Sequence, residues 1–149
     1  IIIIPYNCST MSIFEYYTSN IPIFCPSKEF MKELYKSHGD FVLSELTWNK
    51  TFKLKPGSVI DCDDENDPNM YNNFQIMNKW IDYSDFYNEE WSPHIIYFDN
   101  FEDLSSKLEN TDLFDVSSKM KSFNKLRKEM IYSKWSKKLN SINEKFSNR

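Results

Sequence analysis

Alanine is absent from the 149 residues, and glycine occurs only 2 times. Both have G/C-rich codons, whereas the abundant Asn, Lys, Ile, Tyr and Phe have A/T-rich ones. The skew points to an AT-rich genome, such as that of a large DNA virus or a protist. It also removes functional meaning from the Asn and Lys totals. Cysteine is scarce too. Cys8, Cys25 and Cys62 form an odd set without CxxC spacing, which argues against a disulfide framework and a zinc knuckle. Free thiols in a reducing compartment are expected, and with them a cytoplasmic location, that of the host if the protein is viral. No apolar run approaches the roughly 20 residues of a membrane span, and no signal-peptide pattern is present.

Hydrophobic residues make up 40% of the chain and charged residues 27%, proportions that exclude intrinsic disorder. The length fits one domain over residues 1–149, with residues 111–149 as a closing helical segment. Net charge is −4 but is unevenly placed. From residue 119 onward ten Lys/Arg face two acids, leaving that part at about +8 and the remainder at about −12. An acidic body with a basic end is unlike a dedicated nucleic-acid binder, which is basic over a whole face. The chain opens inside an apolar run, Ile1-Ile2-Ile3-Ile4. A buried strand needs neighbours on both sides, so the expectation is a piece of a larger protein.

Residues 1–6 read as a short buried strand ended by Pro5 and Asn7. Ser9 is the expected N-cap of a helix to about Thr18, and residues 21–25 form a second strand. This is a compact βαβ unit with a parallel pair. Ser27 is expected to cap a helix carrying Phe30, Met31, Leu34 and Tyr35, with His38 and Gly39 at its end. Residues 41–46 could be strand or loop, and residues 48–70 read as an irregular acidic excursion. A helix over 71–83 places Phe74, Met77 and Ile81 on one face, and residues 94–98 form a third strand. Asp99 or Asn100 then caps a short helix. A long helical pattern follows through Val116, Met120, Phe123, Met130, Trp135, Leu139, Ile142 and Phe146. The order of elements predicts an α/β fold: a Rossmann-like three-layer lobe with a small parallel sheet, helices on both faces, and a long C-terminal helix.

The sharpest constellation is the run Pro5-Tyr6-Asn7-Cys8-Ser9-Thr10-Met11-Ser12-Ile13-Phe14-Glu15. A loop leaves the carboxyl end of a parallel strand and enters a hydroxyl-lined helix start, where free N–H groups and the dipole favour a phosphate. Glu15 lies one to two turns inside a mostly apolar helix, and a buried carboxylate needs a partner, such as a ribose diol. From these residues alone, serine caps and a Glu15–lysine pair are the commoner explanation.

The run Glu15-Tyr16-Tyr17-Thr18-Ser19-Asn20-Ile21-Pro22-Ile23 resembles the E-A-x-x-x-G-x-P-V segment in the C-terminal lobe of two-lobed, nucleotide-sugar glycosyltransferases. The order of the last elements, a strand, a short helix and a long closing helix with an internal Trp135, looks similar too. The resemblance implies that Glu15 holds the ribose hydroxyls and that the end bearing Tyr6, Asn7, Ser9, Thr10 and Ser12 faces the diphosphate. It also implies a nucleotide sugar as donor substrate, no cofactor or metal, and an N-terminal lobe that supplies the catalytic base. Binding without turnover is therefore expected of this chain, and no catalytic residue is named. Tyr16 and Asn20 replace the Ala and Gly of the pattern, and no second Glu precedes Glu15 by about seven residues. Those departures fit the alternative, a non-catalytic interaction or structural module that retains a glycosyltransferase-like fold.

Other candidates are weaker. Asp61, Asp63, Asp64 and Asp67 lack the spacing and glycine of a calcium loop and read as a solvated acidic surface. His38 and His94 are far apart in sequence, the first is explained by the dipole of its helix, and nothing nominates the base and orienting group that a Cys/His nucleophilic site would need. The lysines of the final helix read as its solvated face.

Overall fold

The computed structural model describes residues 1–7, 10–39, 42–43 and 74–147. The expected excursion over 48–70 with its acidic run, together with Cys8, Ser9 and Cys62, lies outside the described residues. The described elements are α1 (Met11–Thr18), β1 (Phe24–Pro26), α2 (Lys28–His38), α3 (Phe74–Asp82), a 3-10 turn (Asp85–Tyr87), β2 (Ile96–Phe98), α4 (Phe101–Asn110) and α5 (Leu113–Ser147). The chain is thus a mixed α/β protein with a small parallel sheet and a long C-terminal helix.

β1 and β2 pair in parallel, with Phe24 opposite Ile96 and Pro26 opposite Phe98. On the other side of β1 the N-terminal run adds one parallel bridge, Ile2 to Phe24. It is held by the amides of Ile3 and Phe24, which donate to the carbonyls of Phe24 and Ile1, each at 2.9 Å. β1 is therefore central, and Phe24, Cys25 and Pro26 are all buried, as a strand covered on both faces must be. The expected parallel crossover through α1 is present.

Two sequence expectations need correction here. The opening run is no fully buried strand: Ile2 and Ile4 are exposed, while Ile3 packs against the core and Pro5 is buried. It lies at the outer side of β1, so side chains alternate between the core and the surface. Gly39 at the end of α2 has φ −59° and ψ −15°, so it ends the helix without the left-handed turn that glycine usually supplies there.

Helix starts follow local chemistry. The Ser27 hydroxyl accepts from the Phe30 amide at 3.3 Å, and the Asn100 side chain accepts from the Asp103 amide at 2.7 Å, satisfying first-turn donors. α2 buries Phe30, Met31 and Leu34 against β1 and α3. Lys32 ties α2 to α3 through Asp82 at 3.0 Å, and that ion pair is the main reason its ammonium titrates above the usual lysine range. Phe30 also meets Phe98 and Phe101 edge-on, at centroid distances of 5.9 and 5.4 Å, a favoured aromatic geometry. Tyr87 buries its ring and Tyr97 part of its own, while their hydroxyls donate to the carbonyls of Pro26 and Phe86, at 2.7 and 2.6 Å.

α5 is a single helix of 35 residues, about 50 Å long at 1.5 Å per residue. Its first half lies on α1 and contributes Met120 to the core, with Val116 and Phe123 packed beside it. Its second half leaves the body. Trp135 is 62% exposed, and Leu139 is 53% exposed. Burial in the core therefore ends near the middle of the helix. Met120→Ala should lower stability by about 2–4 kcal/mol, because it empties a filled core position. Leu139→Ala should change stability by no more than about 0.5 kcal/mol. Urea unfolding of both variants followed by circular dichroism measures the contrast.

Candidate functional site

The carboxyl ends of the parallel strands collect three helix starts. The N-terminal run leads through residues 5–10 into α1, β1 leads through Ser27 into α2, and β2 leads through Asp99 and Asn100 into α4. In open parallel sheets this edge is where ligands bind, since loops diverge there and helix N–H groups point outward. The Ser27 amide, donating 2.8 Å to the Phe98 carbonyl, fixes the two strand ends side by side.

Of the sequence-predicted residues, the fold brings Tyr6, Asn7 and Thr10 together in the first loop. Tyr6 is largely exposed. The Thr10 hydroxyl, buried, donates 2.7 Å to the Asn7 carbonyl and closes the loop. Thr10, not Ser9, is the N-cap of α1, and its side chain caps no amide. Its hydroxyl is committed to Asn7 and cannot face a diphosphate without breaking that bond. Ser12 is half-buried on the first turn. Glu15, expected to be buried, is exposed. The reason is the phase of the helix: Ile13 and Tyr17 take the buried face, and Glu15 falls between them on the far side. Its carboxylate makes no hydrogen bond or ion pair among the described residues, so burial does not oblige it to have a partner. Ser9 lies outside the described residues.

At the α4 end, Asp103 closes the neighbouring loop by accepting from the Asp99 amide at 2.9 Å. Lys107 donates to both Asp103 and the Tyr97 carbonyl at 2.7 Å. The Lys107 hydrogen bond, then the Asp99 amide, lowers the Asp103 carboxyl below the usual aspartate range. These groups satisfy one another and stiffen the edge. Among the described residues no cluster of three or more His, Cys, Asp or Glu could hold a metal ion.

A second constellation was missed by sequence reasoning, at the crossing of α1 and α5. The Tyr17 ring is wholly buried, and its hydroxyl donates to the Pro93 carbonyl. Phe123 meets it edge-on at 6.4 Å, and the Arg127 guanidinium lies 5.2 Å from its centroid. Asn124 donates 2.9 Å to the carbonyl of Tyr17 and to the side chain of Asn20, and Arg127 donates to the Trp91 carbonyl. Asn20 adopts φ 60°, a left-handed turn that asparagine tolerates better than most residues. Beside this crossing a cavity of about 340 Å³ is lined by Thr18, Asn124, Arg127, Lys128, Ile131 and Tyr132. The only sequence signal for it was Asn20, a residue type that tolerates a left-handed turn.

Comparison with known proteins finds no matching protein family, no similar curated protein and no similar solved structure. Among the described residues no helix is long and apolar enough to cross a membrane.

Burial pushes the Tyr17 hydroxyl up to about 12, against a smaller downward pull from Arg127. An unfolded tyrosine loses its proton near pH 10. Stability from the neutral buried hydroxyl is therefore complete below about pH 10 and is lost as the pH rises from 10 towards 12. Unfolding free energy measured across that range should fall, and fall less steeply in Tyr17→Phe. Burial likewise pushes the Cys25 thiol up to about 12, so it stays protonated and shielded near neutrality. Peptide mass spectrometry should find Cys25 unmodified after iodoacetamide treatment of the native protein, and alkylated after treatment in denaturant.

Proposed function

We propose that the carboxyl edge of the sheet binds the nucleoside diphosphate of a sugar donor, and that the chain is a donor-binding, Rossmann-like three-layer lobe of a glycosyltransferase-like protein. The observation that carries this reading is the parallel crossover through α1, which sets the Tyr6–Asn7 loop at the strand ends beside the starts of α2 and α4. Glu15 supports it in a different way from that expected of a buried group. Its carboxylate is exposed and uncommitted, so it can accept two ribose hydroxyls without first losing another partner. In this reading the first-turn amides of α1 face the phosphates, and Ser12 with Asn7 supplies polar groups around them. The catalytic base belongs to an N-terminal lobe, so the lobe binds its donor and does not turn it over.

A second reading is favoured by a different observation. The far half of α5 carries exposed Trp135, Leu139 and Ile142, and large apolar side chains in a row on a projecting helix are characteristic of interaction surfaces. On that reading the α/β body is a non-catalytic module that displays α5 to another molecule.

Titration calorimetry and thermal shift of the chain against UDP, GDP, CMP and their sugar conjugates test the first reading. One nucleoside diphosphate should stabilise the protein selectively. Glu15→Ala should weaken that binding by about 1–3 kcal/mol, the range for hydrogen bonds to a charged acceptor. Binding of a nucleotide with unchanged affinity in the variant would remove Glu15 from the site, and no response to any of them would sink the donor-lobe reading.

A further inference from the structure

Successive residues on a helix are about 100° apart. On α5 this places Ile131, Tyr132, Trp135, Leu139 and Ile142 within an arc of about 100°, a continuous apolar stripe. The spacing 132, 135, 139, 142 alternates three and four, as in a coiled-coil seam. Tyr132, Trp135, Leu139 and Ile142 are all exposed, at 61%, 62%, 53% and 38%. Among the described residues no hydrogen bond, ion pair or ring contact joins residues 135–145 to any residue outside α5. The stripe begins at the cavity beside Tyr17, where Ile131 and Tyr132 form part of the wall. A helix laid along the stripe would enter that cavity at one end.

The flanks of the stripe differ. One edge carries Arg127, Lys134, Lys138 and Lys145; the opposite edge carries Lys125 and Glu129 level with the cavity, and only the neutral Ser136 and Asn143 alongside Trp135, Leu139 and Ile142. Arg127 is held by the Trp91 carbonyl, and Lys134 lies over the Trp91 ring at 5.8 Å. Lys138 and Lys145 have no anionic partner among the described residues.

We propose that this face docks an amphipathic helix of another protein, with apolar residues on the stripe and glutamate or aspartate facing Lys138 and Lys145. The proposal rests on the interaction reading above and is independent of nucleotide binding. Charge complementarity selects this occupant over two others. In a parallel pair of two copies, Lys138 faces the neutral Asn143 of the other copy and gains nothing, and in an antiparallel pair Lys138 opposes its own counterpart. A helix lying in a membrane surface sets cations beside both edges of its apolar face, and alongside Trp135, Leu139 and Ile142 only one edge has them.

The test uses the whole chain and a synthetic amphipathic helix with leucine along its seam and glutamate on both flanks. A control peptide carries lysine on the flanks. Calorimetry should show binding of the acidic peptide and none of the basic one. The double variant K138E/K145E should weaken binding about tenfold or more, with the loss shrinking at high salt. The double variant W135S/L139S should weaken it about a hundredfold, as truncation at an interface centre does. Both pairs of side chains are exposed, so circular dichroism and thermal unfolding should match those of the parent. Nucleotide titrations of the same variants should be unchanged, which separates a failure here from a failure of the donor-lobe reading. Equal binding of the two peptides, or no binding of the acidic one, would overturn the proposal. So would a dimer in sedimentation that W135S/L139S abolishes, which assigns the stripe to a second copy. Attachment to phosphatidylserine vesicles lost in the same variant would overturn it in favour of a membrane surface.

Discussion

Tyr17 is the point where α1, α5 and the turn before β2 meet, and the attachment of the long helix depends on it. Its ring gives Phe123 and Arg127 a surface to pack on, its hydroxyl holds the Pro93 carbonyl, and its own carbonyl accepts from Asn124. A buried tyrosine without a partner for its hydroxyl would lose the free energy of an unmade hydrogen bond. Pro93 meets that need from a segment 76 residues away in sequence. The same contact thus satisfies a local requirement and sets a long-range one. α1 must face α5 at this angle, and the strand that follows Pro93 must enter the sheet beside β1.

The carboxyl edge inherits its geometry from that arrangement. Once β1 is central and parallel to both neighbours, the chain must leave each strand at the same end, and three helix starts gather there. Ser27 and Asn100 are occupied as caps, Thr10 closes its own loop, and Asp103 and Lys107 satisfy each other. Polar groups that hold the edge rigid are thereby distinguished from Glu15 and Tyr6, which remain exposed.

The long helix divides by the same physics. Up to Arg127 its side chains find partners on the body, in Tyr17, Asn20 and Trp91, and Met120 reaches the core. Beyond Lys134 the apolar residues keep a helical spacing although the body no longer lies under them. The basic character of the segment is concentrated on one flank of that stripe. The protein therefore presents two chemically distinct surfaces, a polar edge at the strand ends and an apolar, cation-flanked helix projecting from the other part of the fold.

Much of the element order was legible in the sequence, because the signals are local. Ser27 and Asn100 announce their helices as caps, the spacing of Phe30 and Leu34 marks a core face, and residues 96–98 form a strand within the expected one. The compact crossover from residues 1–6 to 21–25 was legible for the same reason, as short apolar runs around a short helix. The burial of particular residues was not. Periodicity shows that α5 has an apolar stripe but not where the body beneath it ends, so the exposure of Trp135 is decided by the fold. Glu15 lies among apolar neighbours along the chain, yet the rotation of α1 about Tyr17 turns it outward. The sequence by itself determined which segments are helix or strand and which residues could serve a site. Only the tertiary structure decided which face of each helix meets another element, because burial depends on partners distant in the chain.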